Sequence, residues 1–364
     1  MLTQKIKQLQ AILEHPLLIK KKENLFYLTG FVFDHRAEEY LLVKKNDAVG
    51  FGSGLEHIGW IKKADRLKNL GQYLKGVRQL DIEYGFTYGE GEYLKHKLPG
   101  VKVKPVRSAV DMMRQVKDET EIVLVKKSMQ IVEQVFGQVR REIKKPGMTE
   151  IRLAKFIEAA GLKLGAEDIS FPAIVASGPN AAIPHHVPSG KRLKAGESII
   201  IDFGFKYKQY CSDFTRTVFL KTAPKKLAEA YQQVEKAHNE SIDFVSSRMH
   251  LRDSLNLQKK ATSHDKMITA GDVYQKSVDV LKEKRLDKFF IHSLGHGTGL
   301  EIHELPNLSP ASKDIMHDGM VFSIEPGVYF PKVGGIRIED LVYLHKEKVK
   351  KFIKVATKLA GNIF

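Results

Sequence analysis

The sequence contains little cysteine and no long apolar run, and both absences restrict what the protein can be. Cys211 is the single cysteine in 364 residues, so no intrachain disulfide can form. No stretch approaches the roughly 18 consecutive apolar residues that a membrane helix needs. Residues 1–15 place charges between their apolar positions, unlike a signal peptide. We therefore expect a cytoplasmic protein in a reducing compartment, with no membrane partner.

Acidic residues are also in deficit. The chain has 59 Lys and Arg residues against 43 Asp and Glu residues, which gives a net charge of +16. Such a surface attracts nucleic acids through bulk electrostatics. The basic residues are nevertheless scattered in short groups, without interleaved aromatic residues or a nucleic-acid-binding motif. We interpret the charge as solvated faces rather than as a specific nucleic-acid site.

The length and the residue pattern predict two domains, with the boundary near residue 110. A chain of 364 residues exceeds one ordinary domain, and its 43% apolar content is sufficient for a full core. Residues 1–110 mix a helical pattern with strand-like runs and predict an α/β domain. The strand-like runs are LFYLTGF (25–31), EYLLV (39–43), DAVGF (47–51) and RQLDIEY (78–84).

Residues 111–364 predict a second domain of mixed α and β structure. A helical pattern runs to about Val139, and Thr149 is a good N-cap for the next helix. The runs SIIIDFGF (198–205) and FTRTVFL (214–220) read as the strands of a hairpin. Helices at about 223–245 and 272–285 follow.

Two aspartates on this hairpin begin the pattern of residues that carry chemistry. Asp202 and Asp213 are eleven positions apart, so neighbouring strands can point both carboxylates to one face. Each aspartate alone could equally be an ordinary turn residue. The Asp202 segment DFG also occurs in kinases, but no kinase glycine-rich loop or catalytic-loop motif accompanies it.

A histidine and two glutamates follow in short strand or turn contexts. His296 lies among glycines that allow close backbone approach and unusual dihedrals. Glu325 precedes a Pro-Gly turn, and Glu339 lies in an apolar strand, where a carboxylate is costly unless it is paired or binds a metal. A salt bridge with Arg337 is the alternative explanation for Glu339. Together with the aspartates, these residues form a ligand set that can hold two divalent cations.

These segments resemble the prolidase and aminopeptidase P family, the "pita-bread" metallopeptidases. The resemblance implies a curved antiparallel sheet covered by helices, preceded by a smaller N-terminal α/β domain like that of creatinase. It covers most of the chain. The matching segments are SGPNAAIPHHVPSG (177–190), IIIDFGFKYKQYCSDFTRT (199–217), HSLGHGTGLEIHE (292–304), VFSIEPGVYF (321–330), GGIRIEDLVY (334–343) and, more weakly, NLFYLTGF (24–31), RQVKDETEI (114–122) and KKPGMTE (144–150).

The resemblance implies a role for each metal ligand. Asp213 and Glu339 would bridge two divalent ions, Asp202 would chelate one ion, and His296 and Glu325 would complete the other. Carboxylate-rich sites with one imidazole suit manganese or cobalt, and also zinc or iron. The implied reaction is hydrolysis of Xaa-Pro bonds in dipeptides or short peptides by a hydroxide that bridges the ions.

The resemblance also implies roles in catalysis and substrate binding. Glu325 would act as general base and then acid. His185 would contact the substrate backbone or leaving group, and His303 would stabilise the oxyanion. His292 matches a substrate-binding position near the specificity pocket, and Arg337 matches a position that can orient carboxylates or bind a substrate carboxylate. His186 would be structural or face the solvent.

Family members are commonly dimers, so we expect a homodimer. In compact prolidases a charged loop of the first domain reaches the partner's active site, and residues 34–36 (Asp-His-Arg) are a candidate for that loop; an ordinary solvated turn is the alternative that we favour for them. Residues 246–270 look like an insertion of roughly 20 residues, polar and basic, and predict an exposed loop.

Two alternative functions remain at this stage. Some relatives with this fold bind a protein or RNA without catalysis, and the basic surface is the feature that favours this reading. Creatinase-like relatives hydrolyse without a metal. The intact set of five ligands argues against both alternatives.

Overall fold

The computed structural model describes residues 2–33, 38–52, 54–55, 58, 61–256 and 267–364. The predicted substrate loop at residues 34–36 lies outside these ranges. The chain divides into two compact units, Met1–Arg114 and Gln115–Phe364. Within the described residues, no helix is both long enough and apolar enough to span a membrane.

The first unit is built around a mixed sheet of six strands. Its helices are α1 (Leu2–Ile12), α2 (Lys22–Thr29), α3 (Tyr88–Lys97) and α4 (Ala109–Arg114), and its strands are β1 (Leu17–Ile19), β2 (Tyr40–Val43), β3 (Ala48–Phe51), β4 (Lys62–Asp65), β5 (Gln79–Glu83) and β6 (Lys102–Val106). The strand order is β4-β3-β2-β1-β5-β6. Strand β1 pairs antiparallel with β2 and parallel with β5. The predicted strands at 39–43, 47–51 and 78–84 are confirmed as β2, β3 and β5.

The predicted strand at residues 25–31 is wrong, because residues 25–29 lie in helix α2. Gly30 ends the helix in the left-handed conformation at φ 72°, and its N–H bonds to the carbonyl of Phe26. At the other end, the Glu83 carboxylate accepts hydrogen bonds from the backbone N–H groups of Lys20 and Lys21. The carboxylate that satisfies this helix start comes from β5, so the local sequence does not reveal it.

The second unit combines four helices with thirteen strands among the residues described. The helices are α5 (Glu119–Glu142), α6 (Glu150–Lys163), α7 (Lys225–Asn256) and α8 (Ala270–Lys282). The strands are β7 (Asp168–Ile169), β8 (Ile174–Ser177), β9 (Ser198–Asp202), β10 (Phe205–Tyr207), β11 (Tyr210–Cys211), β12 (Phe214–Phe219), β13 (Gly295–Gly297), β14 (Glu304–Leu308), β15 (Val321–Ile324), β16 (Gly327–Phe330), β17 (Gly334–Arg337), β18 (Glu339–His345) and β19 (Lys348–Lys351).

The main sheet of this unit has eight strands in the order β14-β13-β15-β18-β12-β9-β8, with β19 also paired to β18. Its strand pairs are antiparallel. A large apolar cluster joins the sheet to α7 and α8, with Phe219, Tyr231, Val273 and Phe322 among its fully buried members. The sheet is therefore apolar on the side that the helices cover.

Local signals in the sequence positioned several elements correctly. The Thr149 hydroxyl caps α6 by accepting a hydrogen bond from the Arg152 N–H. The predicted hairpin is present, since β9 pairs antiparallel with β12 and places Asp202 opposite Thr215. Lys208 and Gln209 turn the chain between β10 and β11 with positive φ angles of 47° and 71°.

The predicted start of the inserted loop at residue 246 is wrong, because α7 continues through Asn256. The first of the added residues contact the rest of the unit: Met249 is buried, and Ser246 Oγ accepts a hydrogen bond from the backbone N–H of Val349 in β19. These tertiary contacts extend the helix past the point where its apolar pattern weakens. Residues 257–266 lie outside the described part of the chain.

Candidate metal centre

Three acidic side chains meet on one face of the main sheet. Strand β9 ends at Asp202 and β18 begins at Glu339, and both residues lie directly opposite Thr215 of β12. Residues opposite one another in antiparallel strands point to the same face, and so does Asp213, two positions before Thr215. Carboxylate oxygens of Asp202, Asp213 and Glu339 lie within 4.8 Å of one another.

A histidine and a further glutamate lie on the other side of Asp213. His296 Nε2 is 3.5 Å from Asp213 Oδ2 and 3.5 Å from Glu325 Oε1. Glu325 is held in turn by the Ser323 hydroxyl, which donates to its Oε1 at 3.3 Å. Asp213 is thus close both to Asp202 and Glu339 and to His296. The structure brings together all five residues that the sequence proposed as ligands.

The centre confines several negative charges in a buried space. Burial, followed by repulsion from neighbouring carboxylates, raises the pKa of Asp213 and of Glu339 well above the ordinary values. Burial also raises the pKa of Glu325 to about 8 and the pKa of Asp202, although the Arg337 guanidinium opposes both shifts. Burial lowers the pKa of His296 to about 4, so its imidazole is neutral at neutral pH.

The donor set fits divalent cations. Asp202 Oδ1 and Glu339 Oε1 are buried and have no hydrogen-bond partner among the described residues. An unpartnered buried carboxylate oxygen is costly, and a cation removes that cost together with the repulsion between the carboxylates. A neutral imidazole beside oxygen ligands suits first-row divalent metals.

Two glycines allow His296 to approach the centre. A Cβ added at Gly295 would collide with the Ser323 carbonyl, and one added at Gly297 would collide with the Leu305 carbonyl. Neither glycine is among the residues with positive φ. Close backbone approach, and not the unusual dihedrals that the sequence also suggested, therefore explains the glycines around this histidine.

Arg337 pairs with Asp202, not with Glu339 as the alternative from the sequence suggested. Arg337 Nη2 donates to Asp202 Oδ2 at 2.5 Å. The same guanidinium donates to the Tyr329 hydroxyl at 2.9 Å and to the Pro184 carbonyl at 3.3 Å. Its side chain is 4% exposed, so it is a buried cation that orients one proposed metal ligand.

The three histidines with proposed roles in catalysis or substrate binding lie near the same centre. The rings of His303 and His296 are 4.3 Å apart, edge to face. His292 shares a 2.8 Å hydrogen bond with the Tyr329 hydroxyl. His185 lies within electrostatic range of Asp202, His292 and His303. Burial lowers the pKa of His303, and it lowers the pKa of His292 to about 4.

Sequence reasoning missed several residues of this centre. Thr215 donates a 2.8 Å hydrogen bond to Glu339 Oε2, and Tyr329 connects Arg337 to His292. Thr215 follows Asp213 by two positions, so strand alternation was the signal that could have identified it. Nothing local marks Tyr329, whose hydroxyl reaches the centre from the smaller hairpin of β16 and β17.

Comparisons with known proteins agree with this geometry. The model of metallopeptidase family M24 matches residues 123–346. The chain is 33% identical over 350 residues to an Xaa-Pro dipeptidase of Pyrococcus horikoshii, covering 94% of this chain and 93% of that protein.

Two solved structures share the fold. The prolidase of Pyrococcus horikoshii is 31% identical, with a TM-score of 0.84 over 98% of this chain and 99% of that chain. The X-Pro aminopeptidase of Thermotoga maritima is 26% identical, with a TM-score of 0.80 over 97% of this chain and 98% of that chain. The second unit therefore has the pita-bread fold, with a curved antiparallel sheet and covering helices. The chain belongs to metallopeptidase family M24, in its prolidase and aminopeptidase P group, and it is a metal-dependent peptidase.

Proposed function

We propose that the protein hydrolyses Xaa-Pro bonds in dipeptides and short peptides. The observation that carries the proposal is the convergence of Asp202, Asp213, His296, Glu325 and Glu339 at one buried centre. The Xaa-Pro dipeptidase and the prolidase to which the chain is similar along nearly its whole length support this substrate class. A secondary amine leaving group with a fixed ring distinguishes these bonds from other peptide bonds.

The resemblance to the family supports a division of the proposed ligands between two ions. Asp213 and Glu339 would bridge two divalent ions, Asp202 would hold one, and His296 and Glu325 would hold the other. Bound there, manganese or cobalt ions would ionise a water molecule near neutral pH and polarise the scissile carbonyl. Zinc and iron also suit these donors.

The side chains of this protein would carry out the proton transfers. Glu325 accepts the proton of the attacking water and delivers it to the proline nitrogen as the C–N bond breaks. His303 donates a hydrogen bond to the carbonyl oxygen as negative charge develops on it. His185 contacts the leaving proline, and His292, held by Tyr329, binds the substrate beside Arg337. The products are the free N-terminal amino acid and either proline or a shorter peptide that begins with proline.

The test compares three substrates after metal removal and reconstitution with manganese, cobalt or zinc. We expect Leu-Pro to be cleaved, a longer Leu-Pro peptide to be cleaved more slowly, and Leu-Ala to resist cleavage. The Asp213→Asn variant should be inactive, whereas the matched change Asp279→Asn on the surface of α8 should have no effect. Cleavage of Leu-Ala at the rate of Leu-Pro would refute the specificity for proline.

The assembly and compartment of the protein remain predictions. A homodimer is expected from the resemblance, and sedimentation of the metal-loaded protein measures it. A reducing compartment is expected because Cys211 is the single cysteine and is buried. Burial raises the pKa of the Cys211 thiol to about 12, so it remains protonated and is a poor metal ligand.

A further inference from the structure

The segment that carries His185 is tied to a buried carboxylate on another element. Glu150, the first residue of α6, is fully buried. Its Oε1 accepts hydrogen bonds from the N–H and the hydroxyl of Ser177 at 2.8 and 2.7 Å and from Asn180 Nδ2 at 3.0 Å. Its Oε2 lies 3.0 Å from His186 Nε2 and accepts bonds from the N–H and the hydroxyl of Ser189 at 3.1 and 2.7 Å.

One carboxylate therefore holds both ends of residues 177–189, and it also contacts the residue next to His185. Burial alone would raise the pKa of Glu150, but the hydrogen bonds from Ser189, Ser177 and His186 outweigh burial and hold that pKa at about 2. The group is thus an anion with acceptors only, surrounded by donors. A glutamine of the same shape cannot satisfy all of these donors.

Packing does little to hold the middle of this segment. Ile183 and Val187, the large apolar residues on either side of the histidine pair, are exposed at 52% and 79%. The polar contacts must therefore fix its path. Arg337, which also contacts Asp202, donates to the Pro184 carbonyl, and Glu150 contacts His186. His185 lies between these two attachments.

We propose that Glu150 is a positioning residue that places His185 against the substrate. The inference rests on the proposed function, in which His185 contacts the leaving proline. Glu150 would bind neither metal nor substrate. It would lower the entropy cost of bringing His185 into its reactive position, because the segment is already ordered before substrate binds.

The variant Glu150→Gln tests this inference in the metal-loaded protein. We expect unchanged metal stoichiometry and a kcat/KM for Leu-Pro lower by about 10- to 100-fold, as expected for a displaced reactive group. In the His185→Ala background the same change should cost no more than about 2-fold, because the residue through which Glu150 acts is already absent. The control is Glu121→Gln, another buried carboxylate, which accepts a 2.8 Å hydrogen bond from the Tyr210 hydroxyl. Glu121→Gln should change kcat/KM by the same factor in the wild-type protein and in the His185→Ala variant.

The inference is overturned if the double variant loses kcat/KM by the product of the two single-variant losses, which would mean that Glu150 and His185 act independently. Loss of bound metal in Glu150→Gln would overturn it as well. Because Glu150→Gln removes a buried charge and folding could fail, Ser189→Ala provides a milder variant. It removes one hydroxyl donor and should show a smaller loss with the same dependence on His185. If the losses in kcat/KM caused by Ser189→Ala and His185→Ala multiply in the double variant, the inference is also overturned.

Amide hydrogen exchange separates this inference from the proposed function. Glu150→Gln should speed exchange at Ser177 and Ser189, whose N–H groups bond to the carboxylate. Unchanged exchange there overturns the inference whatever the activity. If exchange is faster in Glu150→Gln but the wild-type protein cleaves no Xaa-Pro substrate, the proposed function is overturned. The attachment of the segment to Glu150 is then still supported.

Discussion

The replacement Asp213→Asn should stabilise the metal-free protein while it abolishes metal binding. Asp213 is buried among Asp202, Glu325 and Glu339, and burial followed by repulsion from its neighbours raises its pKa well above the ordinary value. Once pH exceeds the ordinary aspartate pKa, the unfolded chain ionises this group freely in water, whereas the folded state must either keep the proton or bury the charge, and it loses stability in either case. Asparagine keeps the shape of the side chain and removes the charge.

The expected magnitude follows from the charge that is removed. A tenfold change in proton affinity between the folded and unfolded states corresponds to about 1.4 kcal/mol of unfolding free energy. We expect a gain of about 1–3 kcal/mol without metal, and roughly 2–4 °C in Tm for each kcal/mol in a unit of this size. Metal at a hundred times its Kd should stabilise the wild type by about 2.7 kcal/mol. That gain should be lost in Asp213→Asn.

The assay is thermal unfolding at pH 8, with chelator or with added manganese, and Asp340→Asn is the matched control. Asp340 is also a buried aspartate, but Arg216 and Lys351 pair with it at 2.6 Å each. Burial opposes ionisation of Asp340, yet its cationic neighbours, Arg216 foremost, lower its pKa to about 2. Its replacement should lower Tm with and without metal, because it removes the carboxylate partner of the buried Arg216 guanidinium.

The pH dependence of the metal-free wild type checks the same reasoning. The folded state raises the pKa of Glu325 from 4.5 to about 8, so within this window the folded protein binds protons more tightly than the unfolded chain. Stability should therefore fall as pH rises from about 4.5 to 8, and added metal should suppress the fall. A lower Tm for metal-free Asp213→Asn, or an unchanged shift on adding metal, would refute the electrostatic account of the centre.

The other predictions concern the groups around the centre. His303→Ala should retain its metal but lose about 10²-fold in kcat, as expected for a lost oxyanion donor; wild-type turnover in this variant would exclude His303 from the mechanism. Arg337→Lys keeps the charge but not the planar fork that bonds to Asp202 and Tyr329, so metal affinity measured by titration should fall about 10- to 100-fold; an unchanged affinity would contradict this role. Deleting residues 257–266 should leave Leu-Pro cleavage within about 3-fold because their composition is polar; a folded but inactive deletion would show that the segment is needed for catalysis.

The sequence identified the chemistry because each proposed ligand lies in a short local motif. Asp202 and Asp213 are fixed by a hairpin whose turn and alternation are local properties, and β9 and β12 pair as that pattern predicts. The N-cap at Thr149 was equally readable, since its backbone requirement depends on near neighbours. The predictions that failed depended on distant partners. Residues 25–29 lie in helix α2, which Glu83 contacts near its start, and α7 continues to Asn256 past Ser246, which Val349 contacts.

What only the tertiary structure decided is which residue each buried charge pairs with. Sequence proximity favoured Arg337 as the partner of Glu339, whereas the fold pairs Arg337 with Asp202, 135 positions away. It likewise brings Glu150 against Ser189, 39 positions further along the chain. A sequence specifies which groups can ionise and which faces are apolar, because these are properties of residues and their spacing. The choice among partners for a buried ion depends on desolvation and on distances of a few ångströms, and those exist only once the sheets have packed.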